Sequence, residues 1–509
     1  MGCRARFVSA EDAVAKIRDG DTVVVEGGSG GFADAERLVL ALEERYLRTG
    51  SPKDLTIYHP NGLGDGIDRS INHLAHRGLV KRFIGGHFGL LPAVAKMILG
   101  NEVEAYNFPQ GVLAQLLREI ARRGPGLVTK VGLGTFVDPR FGGGKLNDVT
   151  KDDLVTLICI EGEEYLFYRA VPVHVALVRG SMADEYGNIS YEHECATFEG
   201  ISACQAARAC GGIVIAQVKR VVKWGTLDPK LVKIPRTLVD YVVVDEQQWQ
   251  SYRSEFDGAL SGQFRLARVQ GALPSGDVKA VIARRAVREL APGMVANVGY
   301  GTSAFVVQAA LEAGLFEDVV FVIEQGIVGG MPLPGVLFGC AANPEAIIDQ
   351  PYQFDLFHGG GLDIAFLSFA ECDAKGNVNA SRFDDHLAGA GGFIDISQHA
   401  RKVVFCGTFT AAGLSVGIND GSLKILSEGR IRKFVPQVQQ VTFSGERALR
   451  QGQQVVVVTE RAVLELTPGG WVVTEVAPGV DLEQDVLRRM GFQCTVRRPV
   501  RCMNSTLFR

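Results

Sequence analysis

Short apolar, β-branched runs that stop at glycine and then give way to a helical period recur along this chain. Asp21-Thr22-Val23-Val24-Val25 is the first, broken by Gly27-Gly28-Ser29-Gly30-Gly31. Leu38, Leu40, Ala41 and Leu42, set among Glu36, Arg37, Glu43, Glu44 and Arg45, then predict a helix with one wet face. Strand, glycine loop and helix open an α/β unit. The same reading predicts strands over 55–59, 82–84, 103–106, 173–178, 212–218 and 241–244, with a helix over 113–123. Near-continuous apolar strands alternating with helices predict mainly parallel sheets.

The period fails between 253 and 276, where glycines and a proline interrupt a sequence without regular spacing; this stretch reads as a linker. Beyond it the pattern restarts with a helix over 278–290, a strand over 294–298, a break at Gly299-Tyr300-Gly301 and a helix over 303–313. The halves look related. Ala183-Asp184-Glu185-Tyr186-Gly187-Asn188-Ile189 answers Cys372-Asp373-Ala374-Lys375-Gly376-Asn377-Val378, and Phe83-Ile84-Gly85-Gly86 answers Val322-Ile323-Glu324-Gln325. The expectation is two related α/β domains, 1–252 and 277–509, joined by 253–276.

Composition narrows the classes. The 53 basic and 57 acidic residues leave a net charge of −4, which offers no broad attraction to nucleic acid or an anionic membrane. The 61 glycines follow no collagen period and suggest backbone-lined turns. Ten scattered cysteines without a CxxC pair fit a reducing cytoplasm. The uncharged segment 325–344 carries three prolines and five glycines, so it reads as buried loop rather than a membrane helix. Met1-Gly2-Cys3 hints at myristoylation, but Arg6 stands where Ser or Thr belongs, and no signal-peptide core follows.

Glu324 is the chief candidate for chemistry. It ends the apolar run 318–323 and precedes Gln325-Gly326-Ile327-Val328-Gly329-Gly330, the position beyond a strand's carboxyl end where open α/β sheets bind ligands. The competing reading is a loop-entry glutamate satisfied by local amides. The glycine loops lack both the third glycine of a dinucleotide fingerprint and Walker spacing, which disfavours NAD and P-loop ATP sites. Gly27-Gly28-Ser29-Gly30-Gly31 matches the GxSxG elbow, although a glycine-rich pentamer meets that pattern easily. The nine histidines show no metal-ligand spacing, so no metal site is expected.

Three blocks then resemble class I coenzyme A transferases. They are Tyr106-Asn107-Phe108-Pro109-Gln110-Gly111 with the glycine-rich stretch 134–147, Ile323-Glu324-Gln325-Gly326, and Gly389-Ala390-Gly391-Gly392-Phe393-Ile394-Asp395. Val457-Val458-Thr459-Glu460-Arg461 and Val476-Ala477-Pro478-Gly479 extend the resemblance almost to the end, closest to the single-chain acetate/propionate branch. The resemblance implies fused α- and β-subunit-like halves with the active site between them, and a homo-oligomer, tetramer favoured. It implies Glu324 as nucleophile, Gln110, Gly391 and Gly392 around the reacting carbonyl, and Gly299, Gly301 and Gly389 as coenzyme A contacts. The implied substrates are acyl-CoA and short-chain carboxylates, with no permanently bound cofactor. Gln325 stands where many relatives carry Asn or Thr, a difference that bears on acyl specificity.

That reaction suits a bare carboxylate, which is ionised at neutral pH and needs no base to act as a nucleophile. Three alternatives are a thioesterase-like hydrolase on the same scaffold, a non-catalytic metabolite sensor and a serine hydrolase using Ser29.

Overall fold

The computed structural model describes residues 4–269 and 271–509. Met1-Gly2-Cys3, the segment weighed for lipidation, lies outside the described residues, as does Gln270 within the expected linker. The chain forms two compact units. They are not consecutive halves: the first contains the chain up to Ala267 together with Glu324–Asp355 and Asp385–Asp395. The second contains Arg268–Ile323, Leu356–Asp384 and Ile396–Arg509.

The first unit is built on a parallel sheet. Its strands are β1 (Thr22–Val25), β2 (Leu55–Gly62), β3 (Val80–His87), β4 (Glu104–Asn107), β5 (Val175–Asp184), β6 (Ile213–Val222) and β7 (Tyr241–Val244). Their order is β7-β6-β5-β1-β2-β3-β4, every neighbouring pair parallel, with Arg6–Phe7 added alongside β7. Both faces are covered, which is why these strands read as unbroken apolar runs rather than alternating ones. Val24, Tyr58, Ile84 and Tyr106 point into one core, with α2 (Gln110–Ala121) and α3 (Gly200–Ala209). Val23, Ile57, Phe83 and Ala105 point into the other, with α1 (Glu36–Thr49). Every expected strand of the first half is present, the largest departure being β5, which runs six residues past its expected end.

The second unit has its own sheet. Strands β8 (Val295–Val298), β9 (Val320–Ile323), β10 (Ile364–Ser368), β11 (Lys402–Cys406) and β12 (Gln454–Val458) run parallel in the order β9-β8-β10-β11-β12. Ala462–Thr467 and Gly470–Val476 extend it as antiparallel strands, and Thr495–Cys502 closes the edge. Helix α4 (Val278–Ala286) starts on Asp277, whose side chain accepts from the Lys279 N–H. Among the described residues no helix is long and apolar enough to cross a membrane.

The suspected duplication has a physical counterpart. The Asp184 carboxylate accepts from the N–H groups of Tyr186 and Asn188 and from Asn188 Nδ2, at 2.9, 3.0 and 2.7 Å. Asp373 does the same with Lys375, Asn377 and Asn377 Nδ2, at 2.9, 3.0 and 3.0 Å. Each half thus turns a strand with the same aspartate-centred motif, in which the side chain supplies the acceptors a buried turn lacks.

Candidate active site

The loop leaving β4 and the start of α2 carry the first group of candidate residues. Asn107 holds two neighbours with one amide: Nδ2 donates to the carbonyls of Gly85 and Gly86 at 2.9 and 2.6 Å, and Oδ1 accepts from the Ala390 N–H at 2.8 Å. Gln110 opens α2 and is 3% exposed. Its backbone N–H donates to the Gly391 carbonyl at 2.9 Å, and the Gly391 N–H donates to the Gly86 carbonyl at 2.7 Å. The next helical N–H, that of Gly111, donates to Asp395 Oδ2 at 3.1 Å. A carboxylate at a helix N-terminus satisfies an otherwise orphaned donor and complements the helix dipole.

These bonds fasten 388–392 onto the end of β3. The Ala388 carbonyl accepts from both Phe88 and Gly89. Gly86 has to be glycine here, since a Cβ would run into the Pro60 carbonyl oxygen. Gln110, Gly389 and Gly391 therefore lie in one interlocked cluster, with Gly392 next in the chain. One detail differs from expectation. The Gly391 N–H, expected as an oxyanion donor, is engaged by Gly86, whereas the Gly392 N–H has no acceptor among the described residues.

His87, at the end of β3, lies beside Gly62, Gly89 and Gly391. Burial, with His59 and His386 nearby, pushes its imidazole down to about 4, so it is neutral at pH 7. Gln110 Nε2 donates to Asn61 Oδ1 at 2.7 Å, and Asn61 Nδ2 donates to Glu199 Oε2 at 3.0 Å. The sequence carried no signal for Asn61 or Glu199. Asn107 and Asp395 lay inside the family-like blocks without an assigned role.

Glu324 follows β9 directly and is 7% exposed. Gln325 Nε2 donates to its Oε1 at 3.4 Å. The chain then turns sharply at Gly326, where φ is +98° and a Cβ would meet the Ile348 carbonyl oxygen. A side chain there would be strained on both counts. Ile327–Val328 pairs antiparallel with Ala346–Ile347, and the Ile348 N–H donates to the Gly326 carbonyl at 2.9 Å.

This segment packs within the first unit. Ser29 Oγ donates to the Phe338 carbonyl at 2.6 Å, Asn343 bonds Ala259 and Leu266, and Thr197 Oγ1 donates to Asp349 at 2.7 Å. At its end Asp355 accepts from Gln115 and Arg118 of α2 at 2.8 and 2.9 Å. Glu324 thus belongs to the same compact unit as Gln110, Gly389, Gly391 and Gly392.

The remaining candidates divide. Gly299 and Gly301 lie in the second unit, just after β8, where the Gly299 carbonyl accepts from Ser303 Oγ at 2.9 Å. Ser29 Oγ–H donates its hydrogen bond to a backbone carbonyl, which is the arrangement of a structural serine rather than one facing a general base. His73 lies against Glu36 and Glu43, and His76 against Glu43, so this pair is tied to carboxylates. Among the described residues no group of three or more His, Cys, Asp or Glu side chains could hold a metal ion.

A parallel α/β scaffold thus carries a buried carboxylate on a glycine turn, with amide groups in the same compact unit. The family model described as coenzyme A transferase matches residues 7–245. Acetate CoA-transferase YdiF of Escherichia coli K12 is 43% identical over 507 residues, covering 99% of this chain and 95% of that protein. Caffeate CoA-transferase of Acetobacterium woodii is also 43% identical, over 515 residues, covering 99% and 97%. The crystal structure of the E. coli O157:H7 acyl-CoA transferase YdiF, as a thioester complex with CoA, superposes with a TM-score of 0.95 at 42% identity, covering 100% of this chain and 96% of that one. The chain belongs to the coenzyme A transferase family and is a CoA-transferase.

Proposed function

We propose that the protein moves coenzyme A between a short-chain acyl-CoA and a free carboxylate such as acetate or propionate, through a glutamyl-CoA thioester on Glu324. The observation that carries this reading is the buried Glu324 carboxylate on its glycine turn, in the same compact unit as the donors around Gln110 and Gly392. In the first step a Glu324 oxygen attacks the thioester carbonyl and the C–S bond breaks, giving an acyl-glutamyl anhydride and CoA thiolate. The thiolate then attacks the glutamyl carbonyl and expels the first acid as its carboxylate. The acceptor acid reverses both steps. No proton is gained or lost overall, so the steps need no general base.

Each addition places negative charge on a former carbonyl oxygen. The second N–H of Gln110 Nε2 and the backbone N–H of Gly392 are the proposed donors, and one such donor is typically worth about 3 kcal/mol in the transition state. Gly391 keeps that geometry by bonding Gly86 and Gln110. Gly299, Gly301 and Gly389 are proposed as coenzyme A contacts. Overall identity does not select the acid, since the relatives named for acetate and for caffeate are equally similar to this chain.

The head-to-tail organisation into halves 1–252 and 277–509 is supported by the family match ending at residue 245 and by the paired Asp184 and Asp373 turns. A cytoplasmic setting is supported by nine described cysteines without a disulfide. A homo-oligomer, tetramer favoured, follows from the family resemblance.

The test is transfer from propionyl-CoA to acetate by wild type, Glu324→Ala and Glu324→Asp. Glu324→Ala should be inactive while folded, and Glu324→Asp should lose about 100-fold, because one missing methylene draws the nucleophile off line. Retention of activity within a few-fold in either variant contradicts the proposal. Equal CoA release by wild type with and without acetate would instead identify a hydrolase.

A further inference from the structure

Gln325 directly follows the proposed nucleophile and is 7% exposed. Its amide makes one hydrogen bond among the described residues, from Nε2 to Glu324 Oε1 at 3.4 Å, and its Oε1 has no partner among them. An unmatched buried acceptor costs stability, and a methionine of similar length would fill the same space without that cost. What the amide gains in exchange is its bond to Glu324. That partner also settles which way round the amide sits. A carboxylate oxygen only accepts, so turning the amide over would set Oε1 against Glu324 Oε1 and lose the bond.

Packing holds the amide where hydrogen bonds do not. Its seat is Gly339, whose φ is +108° and where a Cβ would stand 3.1 Å from Gln325 Cδ and 3.4 Å from Nε2. Gly339 lies on a hairpin in which Met331–Pro332 pairs antiparallel with Ala341–Ala342, and the Leu333 N–H donates to the Cys340 carbonyl at 3.0 Å. The tip of this hairpin rests on the glycine loop 27–31. Ser29 Oγ donates to the Phe338 carbonyl at 2.6 Å, and Gly30 comes so close that a Cβ would stand 2.8 Å from the Val336 carbonyl oxygen. The Gly30 carbonyl accepts from the Tyr252 N–H at 2.7 Å, which ties the loop down from its other side. All of these residues belong to the first unit. The glycine-rich pentamer is thus a floor of bare backbone under the hairpin that seats Gln325.

We propose that Gln325 is a positioning residue for the transfer reaction: seated on Gly339, its side-chain N–H holds the Glu324 carboxylate in the orientation from which it attacks. This rests on the reading of Glu324 as the nucleophile. A carboxylate on a flexible stem gives up rotamer freedom whenever it attacks, and an amide fixed beside it removes part of that loss beforehand. At 3.4 Å the donor stands beyond the optimum of a charge-assisted bond, so it steers the oxygen while withdrawing little of the electron density that the attack needs.

The experiment compares wild type, Gln325→Met, Gly339→Ala and the double variant as full-length proteins, reading transfer from propionyl-CoA to acetate together with the unfolding midpoint. Gln325→Met should lower kcat about 10-fold with KM for propionyl-CoA within about two-fold. Its unfolding midpoint should equal or exceed that of wild type, because the unmatched Oε1 is gone. A side chain with a merely structural role would move both readouts downward. Gly339→Ala pushes the amide off its seat and should slow kcat by a similar factor, with no further loss in the Gln325→Met background. Should Gln325→Met fail to fold, Gly339→Ala tests the same contact with the amide still present. A folded Gln325→Met enzyme of wild-type kcat, a fall in kcat matched by a lower unfolding midpoint, or losses that multiply in the double variant overturn the proposal. Intact mass after mixing with acetyl-CoA separates it from the reading beneath. A CoA adduct on Glu324 that Gln325→Met acquires as fast as wild type removes the positioning role alone, whereas wild type that acquires none removes Glu324 as nucleophile.

Discussion

Gln110 serves two partners at once, taking Gly391 with its backbone and Asn61 with its side chain. Gln110→Ala keeps the backbone bond and loses the amide, so it should fold normally and lose about 100-fold in kcat with little change in KM; a proportionate rise in KM would place the side chain in ground-state binding instead. Ser29→Ala removes a hydrogen bond to Phe338 and should leave kcat within a few-fold, with a stability loss of about 1 kcal/mol. Glu199 makes a separate prediction about stability. Its carboxyl is raised from 4.5 to about 8, so the folded state binds a proton the unfolded chain has released. That contribution is fully present below about pH 4.5 and is lost as pH rises through about 8. Wild type should therefore lose stability relative to Glu199→Gln between about pH 5 and pH 8 in denaturant titrations, and a constant difference would contradict the neutral buried carboxyl. Glu324 stood out as a candidate in the sequence because a charged residue ending an apolar strand before glycines is conspicuous, and the family resemblance supplied its proposed role. Asn61 and Glu199 were not, because an amide and an acid 138 positions apart meet only once the sheet has formed.

At the scale of elements, the turn at Gly326 fixes where the Glu324 carboxylate stands. A methyl group there faces both a left-handed backbone and the Ile348 carbonyl. Gly326→Ala should lower the unfolding midpoint and cut transfer more than it cuts stability, since it shifts the backbone two positions after Glu324, the proposed nucleophile. An active variant of wild-type stability would show that the turn does not position Glu324. The strands were readable because a parallel sheet covered on both faces requires apolar residues throughout: Val23 and Val24 enter opposite cores. Helix starts were less so. The apolar period suggested α2 from residue 113, whereas the helix begins at Gln110, immediately after Pro109. The short pairing of Ile327–Val328 with Ala346–Ile347 has too few residues to show a period at all.

At the scale of the molecule, chain order and spatial order part company. The compact unit built on the N-terminal sheet includes Glu324–Asp355 and Asp385–Asp395, although both lie beyond the expected linker. Linear pattern reading could detect two related halves, and it could not show that the second half lends two segments to the first unit, because the bonds that hold them are between residues such as Gly111 and Asp395, 284 positions apart. Chains cut near residue 267 and produced separately should therefore be inactive, the N-terminal piece lacking Glu324, and should recover activity when co-expressed. Activity in either piece alone would contradict this division.

The proposed transfer requires a covalent enzyme–coenzyme A intermediate at Glu324. Its most direct measurement is the intact mass of the protein after mixing with acetyl-CoA in the absence of any acceptor acid, followed by peptide mapping. A CoA-sized addition on the peptide containing Glu324, absent from Glu324→Ala and discharged by added propionate, is the result expected. An unmodified protein under conditions where transfer is rapid, or an adduct on another residue, contradicts the mechanism.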